Sequence, residues 1–180
     1  GIKLDLAQKL FLETFITLDS QHKPPSIFFK NSSTVNFYIW GPVGRGKTLL
    51  LQAIDDSYFP ASGRFHFIEF MQLIHKKLSD YSGVRDPLLK VVKNIANKYK
   101  IIFIDEFQIE DIADAMIIGT VIELLTHQGI RLMISSNSSP ENLYKDGLQR
   151  NKFLKTIKLL NSNFEIYHLL GKEDYRLREI

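Results

Sequence analysis

The sequence predicts an α/β fold built on a five-stranded parallel sheet flanked by helices. Three observations lead to that expectation. Short apolar runs alternate with amphipathic stretches at helical spacing, the pattern of strands joined by helical crossovers. The run Ile101-Ile102-Phe103-Ile104 contains no polar residue, as suits a strand covered on both faces of a parallel sheet. Finally, Gly41, Asp105-Glu106 and Asn137 each fall just after an expected strand, where sheets of this kind gather their ligands.

Residues 3–18 place Leu4, Ala7, Leu10, Phe11, Phe15 and Leu18 on one helical face. The segment from Gln21 to Pro25 ends that pattern, because two successive prolines forbid a continuing helix. Phe37 to Trp40 is an apolar, aromatic strand that stops at Gly41-Pro42, and Thr48 to Ile54 reads as the helix after the loop. Phe65-His66-Phe67 is a second strand candidate, leading into an amphipathic stretch with Phe70, Leu73, Ile74 and Leu78. Asp86-Pro87 opens another helix, with Asp86 as N-cap acceptor and proline at the first helical position. Asp111 is placed to cap a helix from Ile112 to His127, and Gly129 sits where that helix should stop. Arg131 to Ile134 is a fourth strand, Ser139-Pro140 starts a short helix that Gly147 would end, and Phe164 to Leu169 alternates as a fifth strand. The expected organisation is an N-terminal helix and linker over residues 1–35, packed on a core of residues 36–180.

A length of 180 residues suits one domain. With 44% hydrophobic and 24% charged residues, the composition is that of a folded soluble protein. The absence of cysteine excludes disulfides, zinc ribbons and cysteine nucleophiles. A net charge of +3 is too small to argue for nucleic acid. No apolar run approaches the roughly 18 residues of a spanning helix. The expectation is a soluble, cytoplasmic domain; a start at Gly1 without Met leaves a removed targeting segment open.

Gly41-Pro42-Val43-Gly44-Arg45-Gly46-Lys47-Thr48 matches the P-loop pattern between a strand and a helix. Its glycines let successive backbone N–H groups turn inward at a helix N-terminus, forming an anion nest. Lys47 supplies a mobile cation for β- and γ-phosphates, and the Thr48 hydroxyl can ligate Mg²⁺. The bland alternative, a glycine-rich turn with a surface lysine, lacks a reason for the flanking strand and helix. Asp105 is then expected in the Mg²⁺ shell, through water, and Glu106 as the general base that polarises the attacking water. Acidic residues also mark a strand leaving for solvent; behind the most apolar run of the chain, and downstream of a P-loop, the catalytic reading is preferred. The presence of Glu106 favours a hydrolase over a nucleotide sensor.

Asn137 follows the fourth strand through Ser135-Ser136, where an amide can bond both water and γ-phosphate; the local composition fits an ordinary loop equally well. Arg150 is, by itself, a typical solvated charge. As an arginine finger it would have to reach the γ-phosphate of a neighbouring subunit, which implies a homo-oligomer. His66 and His75 lack metal-ligand company and read as core or surface residues, and Lys90, Lys93, Lys98 and Lys100 read as a solvated face. Asn97-Lys98-Tyr99-Lys100 lacks the aspartate that would read guanine.

With these motifs in place, the sequence resembles the ZapE family of AAA+ ATPases, bacterial cell-division proteins related to mitochondrial Afg-type ATPases. Gly41 to Thr48 is similar to the family's Walker A, and Phe103-Ile104-Asp105-Glu106-Phe107-Gln108 to its Walker B. Asp111-Ile112-Ala113-Asp114-Ala115-Met116 looks like its characteristic DIADAM segment, Ser136-Asn137 like sensor 1, and Leu143 to Arg150 like the motif ending in its arginine finger. Asp174-Tyr175-Arg176 also fits, whereas Ser135 stands in place of an expected threonine and Ile68 in place of a second histidine. The resemblance implies an AAA+ core, hydrolysis of ATP with Mg²⁺ and a homo-oligomer. It also implies action on the division ring protein FtsZ, with peripheral association at the inner membrane, and it strengthens Asn137 and Arg150 as site residues. A C-terminal lid and its second sensor arginine are not identifiable after Arg176. The alternatives are a helicase-loader-like, DNA-associated AAA+ ATPase and a nucleotide-gated scaffold that does not hydrolyse.

Overall fold

A computed structural model of the chain describes residues 8, 9, 11–13, 16, 35–43, 46–58 and 61–169, without the side chains of residues 49, 53, 57 and 58. The expected helix over residues 3–18 lies only partly within this set: residues 8, 9, 11–13 and 16 are helical, and the segment from Gln21 to Pro25 and Asp174 to Arg176 lie outside it. The strands are β1 (Asn36–Trp40), β2 (Ser62–His66), β3 (Ile101–Asp105), β4 (Arg131–Ser136) and β5 (Phe164–His168). The helices are α1 (Lys47–Tyr58), α2 (Phe67–Asp80), α3 (Pro87–Ala96), α4 (Ile112–His127) and α5 (Arg150–Asn163), with a 3₁₀ turn at Pro140–Asn142.

All strand pairings are parallel, in the order β2-β3-β4-β1-β5. Period-2 alternation sorts the side chains to two faces. Ile102, Ile104, Leu132, Ile134 and Tyr38 join the apolar faces of α2, α3, α4 and α5. Ile101, Phe103, Met133, Phe37 and Ile39 join α1 and Phe11. This two-sided burial is why β3 is apolar at every position before Asp105. Because β4 stands between β1 and β3, the carboxyl ends of those three strands lie side by side. At about 4.8 Å per strand spacing, the loops after β1 and β3 start roughly 10 Å apart.

Most boundaries follow local chemistry. The Asp111 carboxylate accepts the Ala113 N–H at 2.7 Å and the Asp114 N–H at 3.3 Å, capping α4 as expected, and Gly129 takes a left-handed φ of +78° beyond its end. Three expectations are corrected. Asp86 precedes α3 with φ 52° and ψ 57° and makes no side-chain cap bond; capping works from extended backbone, which this residue does not adopt. The second strand begins at Ser62 and ends at His66, and Phe67 already belongs to α2. Its limits come from pairing, Ser62 with Ile101 through His66 with Asp105, and its start has no apolar pattern of its own. The Glu69 carboxylate accepts the His66 N–H at 3.2 Å and so turns the chain into α2 there. After Pro140 only a three-residue 3₁₀ turn forms, and the helix comes later, as α5. The stripe Phe153, Thr156, Ile157 and Leu160 that buries α5 is present in the sequence, diluted by four basic residues.

Asn36 opens β1 and is 4% exposed. Its Oδ1 accepts the Leu132 N–H at 2.8 Å, and its amide donates to the Asn163 carbonyl at 3.5 Å. Asn36→Ala should strand the buried Leu132 donor and cost about 1–3 kcal/mol. The expected result is a lower urea midpoint with an unchanged m-value; an unchanged midpoint would contradict this account.

Candidate functional site

The ends of β1, β3 and β4 enclose a cleft of about 420 Å³, lined by Val43, Gly46, Lys47, Thr48, Gln52, Asp105, Glu106, Ser135, Ser136 and Asn137. Of the residues singled out from sequence, Lys47, Thr48, Asp105, Glu106 and Asn137 are thus brought together. Gly44 and Arg45 lie outside the described residues.

The loop starts where the sheet ends. The Gly41 N–H donates to the Ser136 carbonyl at 3.2 Å, and the Leu169 N–H to the Trp40 carbonyl at 2.8 Å. A Cβ on Gly41 would collide with the Leu169 carbonyl, so no other residue fits against the residue that follows β5 here. Trp40, the single tryptophan of the chain, stacks on His168 with ring centroids 3.6 Å apart and planes 5° from parallel. At the other end of the loop Gly46 has φ +73° and its carbonyl accepts the Leu50 N–H at 3.0 Å, the first turn of α1. Lys47 is 8% exposed. Its Nζ donates to the carbonyls of Gly41 at 2.8 Å and Pro42 at 2.7 Å, spanning the loop from within. Burial pulls its pKa below the ordinary lysine value, and the nearby Asp105 charge partly opposes this.

Asp105 is 2% exposed. Its Oδ1 accepts the Glu106 N–H at 3.0 Å and the Ser135 hydroxyl, and the Arg64 guanidinium lies 3.6 Å from Oδ2. Burial would raise the pKa of this carboxyl. The Ser135 and Thr48 hydroxyls, the Glu106 N–H and Arg64 together outweigh it and hold the group below the usual carboxylate range. Oδ2 is buried and receives no hydrogen bond. Such an oxygen, beside a threonine hydroxyl, fits hydrated Mg²⁺, a hard ion that takes few protein ligands and keeps several waters. Among the described residues no group of three or more His, Cys, Asp or Glu could form an all-protein metal cage.

Glu106 has φ +54°, a left-handed backbone that costs a non-glycine residue about 1–3 kcal/mol and persists only where neighbours enforce it. Here the Phe107 N–H donates to the Ser135 carbonyl at 2.8 Å, and the Ser136 hydroxyl to the Phe107 carbonyl at 2.7 Å. The turn lifts Glu106 out of the buried strand, leaving its side chain 73% exposed and 3.8 Å from the His66 ring. Asn137 is held at the β4 exit by the Tyr38 hydroxyl, which donates to the Ser138 carbonyl at 2.8 Å, and by the Ser138 N–H, which donates to Ser136 Oγ at 3.1 Å.

Arg150 does not line the cleft. It opens α5, and its guanidinium donates to the Glu141 carbonyl at 2.6 Å. Arg64 and His66 carried no local signal for the site; only the register of β2 on β3, His66 beside Asp105, places them against the two carboxylates. His75 pairs with Asp114 at 2.7 Å, joining α2 to α4. Lys90, Lys93, Lys98 and Lys100 are exposed, as a solvated face requires.

A family profile described as AFG1-like ATPase matches residues 6–180. The chain belongs to the AFG1-like ATPase family. It is similar to Cell division protein ZapE of Escherichia coli (strain K12), 35% identical over 153 residues, or 84% of this chain and 40% of that protein. Lactation elevated protein 1 homolog B of Danio rerio is 35% identical over 160 residues, 80% of this chain and 31% of that protein. The AFG1-like chain thus spans well under half the length of the curated relatives it matches. Among solved structures, DnaI superimposes with a TM-score of 0.67 at 16% identity, over 95% of this chain and 86% of that one. The DnaC helicase loader gives 0.62 at 16% identity, over 94% of each chain. These likenesses establish the P-loop AAA+ fold. Among the described residues no helix is long and apolar enough to cross a membrane.

The folded-state pKa of Asp105 lies below its unfolded value. Its ionised form therefore stabilises the fold above the ordinary carboxylate range, and that contribution is lost as pH falls through the lower folded-state value. In a urea-unfolding pH series the acid limb should be shallower for Asp105→Asn than for the wild type. Parallel acid limbs would show that Asp105 is not held this way.

Proposed function

We propose that this domain hydrolyses ATP to ADP and phosphate with Mg²⁺ and uses the cycle to remodel a protein partner. The supporting observation is that one cleft is lined by Lys47, Thr48, Asp105, Glu106 and Asn137, contributed by three adjacent strand ends. In this reading the Lys47 ammonium exchanges its loop carbonyls for β- and γ-phosphate oxygens, and the N–H groups at the start of α1 complete the anion nest. Asp105, kept ionised, and Thr48 would hold Mg²⁺, which when bound neutralises charge on the phosphates. Glu106 accepts a proton as the water oxygen bonds to the γ-phosphorus and the bond to the β–γ bridging oxygen breaks. Asn137 orients the water against the γ-phosphate. Arg150 stands away from its own cleft, which supports a role on the nucleotide of a neighbouring copy in a homo-oligomer.

The name of the Escherichia coli relative and the resemblance in Asp111–Met116 and Leu143–Arg150 support a partner in bacterial cell division. Within that reading we place FtsZ as the partner and the inner-membrane surface as the site of action. The AFG1-like chain covers 40% of that relative, so these assignments concern the longer protein. Turnover should rise with FtsZ and stay flat with single-stranded DNA. Stimulation by DNA, with a steep salt slope, would favour a loader-like ATPase instead.

Glu106→Gln should bind ATP like the wild type and lose turnover by about 10²–10⁴-fold, the usual contribution of a general base. Phosphate release and nucleotide titration together check this, and retained turnover would remove Glu106 from the mechanism. Arg150→Ala should leave binding intact and slow hydrolysis by about 10³-fold. Mixing Arg150→Ala with Glu106→Gln copies should restore part of the rate, since some interfaces then pair an intact finger with an intact base. Absence of any recovery would place Arg150 outside the trans role.

A further inference from the structure

One polar side chain outside the cleft lining abuts the phosphate loop. Gln8 is 9% exposed, and a Cβ built on Gly46 would collide with its carboxamide nitrogen. The contact is built, because the helical segment that carries Gln8 is anchored. Phe11, three residues on and so on the same helical face, is 1% exposed. Its ring meets Phe37 of β1 edge-on at 5.8 Å and Tyr167 of β5 at 5.2 Å. Both strands flank the start of the loop, so the aromatic anchor sets where Gln8 lies against the loop's other end.

We propose that Gln8 is a positioning residue for the phosphate-binding loop, bracing Gly46 in its left-handed turn from outside the cleft. The inference rests on reading Gly41–Thr48 as the phosphate cradle. Gly46 needs φ +73° to present the following N–H groups at the start of α1, and glycine is the residue least able to hold one conformation unaided. The carboxamide occupies the space a side chain at position 46 would fill and so restricts the loop without narrowing the cleft. Preorganisation of this kind acts on affinity: a loop competent for only part of the time binds more weakly by that fraction. The groups assigned to chemistry, Asp105, Glu106 and Asn137, sit at the ends of β3 and β4. Gln8 meets the loop at Gly46 and is not part of the cleft lining, so the chemical step itself should be spared.

The test compares wild-type chain with Gln8→Ala and, as a milder change that keeps the amide, Gln8→Asn. Dissociation constants are measured for ATP, GTP and inorganic tripolyphosphate, with KM, kcat and Tm alongside. Gln8→Ala should weaken ATP and tripolyphosphate by the same factor, about tenfold for a loop left competent one-tenth of the time. KM should rise in step, kcat should stay within about twofold, and Gln8→Asn should fall between. A loss confined to ATP would overturn the proposal in favour of a base contact, and unchanged affinities or a fall in kcat alone would overturn it outright. If Gln8→Ala does not fold, the same criteria apply to Gln8→Asn. Lys47→Ala separates the two layers. If it still binds tripolyphosphate like the wild type, the cradle reading itself fails; if it loses binding while both Gln8 variants keep theirs, only the present inference fails.

Discussion

A carboxylate that is 2% exposed has to be compensated by its neighbours or become neutral. Asp105 is compensated from three elements at once: the Ser135 hydroxyl on β4, the Arg64 guanidinium on β2, and the N–H of the residue that follows it. The first two of these groups are available only because β3 runs parallel between β2 and β4 in one register. The electrostatics of the site and the order of the sheet are therefore a single constraint. A slip of one residue in either ladder would turn a donor to the opposite face and leave a buried charge without support.

The same constraint explains why Glu106, one residue further, can behave so differently. Its left-handed backbone, locked by Phe107 to Ser135 and Ser136, takes it out of the dry strand within one peptide. Two adjacent carboxylates thus meet two environments, one buried and held ionised, the other mostly exposed beside His66. Division of labour between neighbouring acids needs such a difference in surroundings more than a difference in side chain.

Much of this was readable from the residues. The apolar run before Asp105, the glycine loop between β1 and α1, and the Asp111 cap of α4 are local signals, and each matched its element. The strand ends that the loop, the acidic pair and Asn137 were expected to follow do converge on one cleft. What local signals missed was decided at a distance. The start of β2 is defined by its partner strand, Arg64 and His66 reach the site only through that pairing, and the contact of Gln8 with Gly46 joins segments far apart along the chain. The helix α5 was obscured for another reason: its burying stripe includes a threonine, and basic residues occupy the positions between. Asp86 shows the converse, a good capping residue type whose backbone adopts a geometry that cannot use it.

The flat stack of Trp40 on His168 sits one peptide before Gly41. Since this indole is unique in the chain, its fluorescence comes from a single known location, next to the first carbonyl that Lys47 grips. The imidazole lies in van der Waals contact with the emitter, so any shift of this strand end changes the emitter's surroundings. The protein therefore contains its own optical probe of loop rearrangement, read without labels.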